Sequence, residues 1–119
     1  MSTNPVSAAA SGLQLHIYLW GDATVVQCTG QLTIEHTDRL KAHVRSLLPT
    51  AKGVILDLKG IGRMDSAGLG ALVALYISAK KANCEFVLAN YNQFIRNLLG
   101  LSNLLSVFES CARSGMRIP

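Results

Sequence analysis

Eleven consecutive residues, Gly60-Ile61-Gly62-Arg63-Met64-Asp65-Ser66-Ala67-Gly68-Leu69-Gly70, bring a carboxylate, a hydroxyl and four glycines into one short stretch. Glycine-rich stretches with a serine serve phosphate-binding loops and serine nucleophiles, and each chemistry sets its own spacing. A dinucleotide loop needs Gly-x-Gly-x-x-Gly. Counted from Gly60, the third glycine position is Asp65, whose charge would face a pyrophosphate. A Walker loop needs Gly-Lys-Ser or Gly-Lys-Thr, and neither triplet occurs. A nucleophile elbow needs Gly-x-Ser-x-Gly with its histidine after the serine. Here Met64 replaces the first glycine, and His16, His36 and His43 all precede Ser66. These mismatches argue against nucleotide binding and serine hydrolysis, and the histidines read as solvated residues on a strand face and a helix surface.

What remains is a helix start. Asp65 and Ser66 both carry side chains that accept hydrogen bonds from the free amides of a first turn. Gly68 and Gly70 fall inside the opening turns, where each is worse than alanine by about 0.8–1.0 kcal/mol. Bare backbone at such a cost implies a close approach. The residues that follow, Ala71 to Ile77, are apolar nearly all round the helix, so one face serves a sheet and another is left for a partner.

The elements that must position this segment follow from periodicity. Leu13, Leu15, Ile17 and Leu19 alternate with Gln14, His16, Tyr18 and Trp20, the period of a strand with one buried face. Gly21-Asp22 supplies a turn, and Thr24–Thr29 reads as the returning arm of a hairpin. Leu40, Val44, Leu47 and Leu48 recur at helical spacing within Ile34–Leu48, with Thr33 as N-cap and Pro49 as stop. Gly53–Leu58 is a nearly continuous apolar run, the pattern of a central strand. A helix over Ser66–Lys81 ends on two lysines suited to the negative end of its dipole. Glu85–Ala89 is the next strand. Phe94, Ile95, Leu98 and Leu99 form the stripe of a short helix with Gly100 as its C-terminal cap, and Val107–Phe108 reads as a last short strand. Strands separated by helices predict parallel pairing through right-handed crossovers, hence a mixed sheet with helices packed on it.

Composition narrows the function classes. The chain has 119 residues, half of them hydrophobic and 15% charged, which predicts one globular core. The net charge of +4 is scattered over single and paired lysines and arginines without interleaved aromatics, so direct nucleic-acid binding is not expected. Cys28, Cys84 and Cys111 are odd in number and far apart, which favours small buried hydrophobes in a reducing compartment over a disulfide or metal site. Residues 1–12 read as a flexible tail without the charge and apolar segment of a signal peptide. The longest apolar stretch, Leu69–Ile77, is shorter than the ~20 residues of a membrane helix, so membrane insertion is not expected.

From about Leu13 to Phe108 the chain resembles the sulfate transporter and anti-sigma factor antagonist (STAS) domain family, particularly its stand-alone anti-sigma factor antagonists. The resemblance rests on Cys28-Thr29-Gly30-Gln31-Leu32, on Val54-Ile55-Leu56-Asp57-Leu58 and above all on Met64-Asp65-Ser66-Ala67-Gly68-Leu69-Gly70. It implies a single α/β STAS-like domain over 13–110: a mixed sheet of about five strands opened by a β-hairpin, with three or four helices and a C-terminal tail or helix end at 111–119. It further implies a cytoplasmic protein with no catalytic residue, cofactor or metal of its own. In relatives the serine after the aspartate is phosphorylated by an anti-sigma factor that is also a serine kinase, and the unphosphorylated form binds that kinase and frees a sigma factor. Carried over, the phosphoacceptor is Ser66, a phosphatase resets it, and the partner surface comprises Thr33, Met64, Asp65, Ser66, Ala67, Gly68, Leu69 and Gly70. Ala67 stands where relatives often have a second serine, which leaves one acceptor. Thr33 stands where they frequently have an aspartate, so capping ability is kept without the charge. The same resemblance also implies an alternative role, a non-switching STAS subunit of a lipid-transport complex or of a stress-signalling assembly.

Overall fold

The computed structural model describes residues 12–101. Strands β1 (Leu13–Trp20) and β2 (Ala23–Leu32) form an antiparallel hairpin, with Leu13 opposite Gly30 and Trp20 opposite Ala23. After them come α1 (Thr37–Leu47), β3 (Gly53–Met64), α2 (Ser66–Lys81), β4 (Glu85–Ala89) and α3 (Gln93–Leu101). β2, β3 and β4 run parallel, and the sheet order is β1-β2-β3-β4. Two successive crossovers that step the same way across a sheet, both right-handed, place their helices on one face. The core agrees. Leu40 and Val44 of α1, Leu72 and Leu75 of α2, and Ile95 and Leu99 of α3 join Val26, Cys28, Leu56 and Leu88 in one buried cluster. On the opposite face, Tyr18, Val25, Ile55 and Val87 align across the four strands and pack in a second, smaller cluster.

The α/β class and the mixed sheet opened by a hairpin agree with the sequence expectation, with four strands and three helices among the described residues. The expected strand at Val107–Phe108 lies outside those residues, as do the 111–119 segment and all of the 1–12 tail except Gly12. β1 shows the expected alternation of burial only over its first half; beyond Leu15 its apolar side is uncovered, and Tyr18 of the other face is the half-buried residue. Leu13 is fully buried, whereas Ile17 is 40% and Leu19 77% exposed, because β1 is the edge strand and the helix layer does not reach its far half.

Two strands run longer than their apolar patterns. β2 continues past Thr29 to Leu32 and β3 past Leu58 to Met64, because these extensions pair with each other: Thr29 with Gly60, Gly30 with Ile61, Gln31 with Arg63 and Leu32 with Met64. The ladder shifts register between Gln27 and Thr29 and again between Gly30 and Gln31, with β3 carrying the extra residue each time. Glycines and bulges hide a strand from a propensity reading. Gly60–Met64, which the sequence pattern leaves between the strand Gly53–Leu58 and the helix Ser66–Lys81 as a loop, is therefore part of β3 and delivers Asp65 and Ser66 at its end.

Two helix ends also differ from expectation. α1 begins at Thr37 rather than Ile34, and its N-cap His36 makes no side-chain cap bond. Thr33 does not cap it, because its Oγ1 donates to Glu35 Oε1 at 2.9 Å while the amide of Ile34 is drawn to another segment. Gly100 is not a terminal cap, since α3 runs through it to Leu101.

Candidate functional site

The C-terminal ends of parallel strands are where open α/β sheets assemble ligand and partner sites. Here that edge consists of the exit of β2 at Leu32, the exit of β3 at Met64 and the exit of β4 at Ala89. β3 projects furthest, since β4 pairs with it only as far as Asp57. Asn92 ties the projecting part to α3. Its Nδ2 donates to the carbonyl of Ile61 at 3.1 Å, and its Oδ1 accepts from the amide of Ile95 at 2.9 Å.

Asp57 supports the projection from below. It is fully buried; its Oδ1 accepts from the amide of Lys59 at 2.9 Å and from Nδ2 of Asn90 at 3.3 Å. It thereby holds the first bulge of β3 against the exit of β4, while its Oδ2 has no partner among the described residues. Burial, and then the charge of Asp57, push the Cys28 thiol up to about 12. Cys84 is raised in the same direction, by burial and then by Glu85. Both are buried free thiols, protonated and inert at neutral pH.

Asp65 is the N-cap of α2 in extended conformation, and it accepts from two amides at once, one in its own helix and one in another segment. Oδ1 receives the amide of Gly68 at 2.9 Å, and Oδ2 receives that of Ile34 at 3.1 Å across 31 residues of sequence. Its own amide donates to the carbonyl of Leu32 at 3.4 Å. These bonds favour the ionised carboxylate and hold its pKa below the ordinary aspartate value, the Gly68 amide contributing most. Glu35 is lowered too, by its own backbone amide and then by the Thr33 hydroxyl.

Ser66 follows as the first residue of α2 and is exposed. No other described residue bonds its hydroxyl, which faces out beside amides that carry the positive end of the helix dipole.

The eight residues expected at the surface separate into two groups. Asp65, Ala67 and Leu69 are half-buried, and Ser66 and Gly70 are exposed. Thr33, Met64 and Gly68 are buried. Gly68 is bare because α2 sits on the chain itself: a Cβ there would lie 2.2 Å from the carbonyl oxygen of Leu32 and 2.9 Å from Cγ of Met64. The close approach inferred from that glycine is thus internal. Gly70 is different, since a Cβ there would meet nothing within 4 Å. The structure adds two surface residues to the rim, Glu35 and the 68% exposed Ile34. Periodicity assigned Ile34 to a helix; an apolar residue off the Leu40, Val44, Leu47 stripe was the signal that it lay outside one.

The family described as "Mlab, STAS domain" matches residues 16–108. The chain belongs to the STAS domain family. It is 26% identical over 102 residues to Osmosensory protein A of Mycobacterium tuberculosis, a match covering 84% of the chain and 65% of that protein. The chain therefore spans just under two thirds of the length of this relative. In fold it is similar to an anti-sigma factor antagonist from Mycobacterium paratuberculosis, with a TM-score of 0.74, 19% identity and coverage of 84% of this chain and 86% of that one. It is also similar to the phosphorylated form of the Bacillus cell fate determinant SpoIIAA, with a TM-score of 0.64, 17% identity and coverage of 81% and 86%. No helix among the described residues of this STAS domain is long and apolar enough to cross a membrane. Nor do those residues contain a cluster of three or more metal-ligating side chains.

Proposed function

We propose that this STAS domain is an anti-sigma factor antagonist that works by partner exchange in the cytoplasm. Unphosphorylated, it binds an anti-sigma factor that is also a serine kinase and so frees a sigma factor; phosphorylated on Ser66, it is released until a phosphatase restores the hydroxyl. The observation that carries this reading is the placement of Ser66: an exposed serine whose hydroxyl no other described residue bonds, at the first position of a helix whose seat on the sheet is made by other residues.

Phosphate on Ser66 adds about −1.5 to −2 charges. At a helix N-terminus the dipole and free amides favour an anion, so the scaffold tolerates the modification. The interface does not. The patch residues Ile34, Asp65, Ala67, Leu69 and Gly70 are uncharged or acidic, and burying a dianion among them against a partner carries a desolvation penalty. Kinship to a phosphorylated SpoIIAA in fold and to the STAS family in sequence supports the same reading.

The test combines the purified protein with each anti-sigma serine kinase of its source organism and ATP. The expected result is one added phosphoryl group by intact mass, absent from Ser66→Ala, and loss of kinase binding once it is added. Phosphorylation elsewhere, or none with any kinase, contradicts the reading. Co-purification with membrane transporter subunits, independent of Ser66, would instead identify a non-switching subunit.

A further inference from the structure

Ile34 is a large apolar side chain, 68% exposed, on a stretch of backbone that is tied at both ends. Its amide donates to Asp65 Oδ2 at 3.1 Å, and its carbonyl accepts from Thr37 Oγ1 at 3.4 Å. On either side of it, the carbonyl of Thr33 accepts from the amide of His36 at 2.8 Å and the Thr33 hydroxyl donates to Glu35. A single exposed apolar residue is ordinary on a protein surface. An exposed isoleucine on a pinned turn is a different object, since its β-branched side chain is stiff at χ1 and its backbone has little left to lose on binding. Such pre-organisation reduces the ordering cost of an interface.

The tie also has an address. Asp65 is the residue immediately before Ser66, and the same carboxylate holds the first turn of α2 through Gly68. One side chain thus fixes the relative position of the acceptor serine and the apolar residue across 31 positions of sequence.

We infer that Asp65 is a positioning residue whose carboxylate presents Ile34 beside Ser66 as the apolar contact for the partner, a protein offering an apolar pocket next to the site that receives the serine. This rests on the partner-exchange reading above and adds to it the residue that makes the contact and the residue that aims it. Asparagine at position 65 keeps the helix cap, being an equally good N-cap, but has one acceptor oxygen where aspartate has two. It cannot hold both amides.

The test uses the full chain and the kinase that binds it in the assay above. Ile34→Ala, which alters only an exposed side chain, is expected to weaken binding at least about tenfold with an unchanged melting temperature. Asp65→Asn is expected to accelerate hydrogen exchange of the Ile34 amide at least about tenfold while Val26 and Leu56 stay protected, and to weaken binding by a similar factor. The double variant is expected to bind no worse than the weaker single variant, because Asp65 acts through Ile34. Multiplicative losses would make Asp65 a direct contact and overturn its positioning role. Full affinity in Ile34→Ala would overturn the contact, as would unchanged exchange at Ile34 in Asp65→Asn for the tie. If Asp65→Asn fails to fold, Ile34→Ala still decides the contact. Failure of the wild-type chain to bind any kinase would refute the partner-exchange reading itself, a separate result from wild-type binding that Ile34→Ala leaves intact.

Discussion

Gly68 and Gly70 stand two positions apart in α2 and face opposite environments. Gly68 is buried, and its missing side chain lets the helix rest on the carbonyl of Leu32 and on Met64; Gly70 is exposed and has no neighbour that a methyl group would touch. The same split runs through the whole motif. Leu32 and Met64 form a floor on which Gly68 of the helix rests, beside the buried Thr33, while Ile34, Glu35, Ser66 and Gly70 form a rim at the surface. A floor governed by packing and a rim free of it allow one segment to be both rigid and open to modification. On the proposed function, charge added at the rim would act on the docking partner and leave the fold alone.

The largest effects should come from the floor. Met64 is 4% exposed and lies in the main core cluster, so Met64→Ala should cost about 2–5 kcal/mol in chemical denaturation. Gly68→Ala forces a methyl group into a backbone carbonyl and should cost on the order of 1–3 kcal/mol, despite the better helix propensity of alanine. A neutral result there would mean that α2 does not sit on Leu32 as described.

At the rim the sign should reverse. Gly70→Ala introduces no clash and removes a helix-destabilising residue, so it should raise stability by about 0.8–1.0 kcal/mol. If Gly70 faces the partner, the same variant should also bind it less tightly, which separates stability from function in one experiment.

The smallest effect is in pH. The Asp65 pKa is lowered in the folded state by the Gly68 and Ile34 amides, so the stabilisation from its carboxylate is fully present above the ordinary aspartate value of 3.8 and fades as pH falls through the lowered one. Protection of the Ile34 amide should accordingly persist at mildly acidic pH and disappear only below the ordinary aspartate range. Loss of protection near neutrality would show that the tie depends on another group.

Much of this architecture was already present in the residue pattern. Period-two alternation in Leu13–Trp20, the apolar run Val54–Leu58 and the stripes of α1 and α3 placed the elements, because burial against a neighbouring layer imposes periodicity, even where, as in β1, that layer covers only one end. What the pattern concealed lies where tertiary pairing overrides local preference. Gly60 and Gly62 lack strand propensity, yet β3 runs through them because Thr29–Leu32 offers a partner ladder. Ile34 looked like the start of a helix, but an aspartate 31 residues away takes its amide and delays the helix to Thr37. The helix start at Ser66 was evident from Asp65. Which glycine served the fold and which the surface was not, since that depends on the position of the Leu32 carbonyl.

The central claim is that one hydroxyl on the rim controls docking while the floor beneath it is indifferent. Its most direct measurement compares the chain phosphorylated on Ser66 with the unmodified chain, each assayed for affinity to the same anti-sigma kinase and for melting temperature. Affinity should fall at least about a hundredfold with a melting temperature unchanged within about 2 °C. Equal affinity of the two forms, or a phosphorylated form that unfolds, would contradict the account.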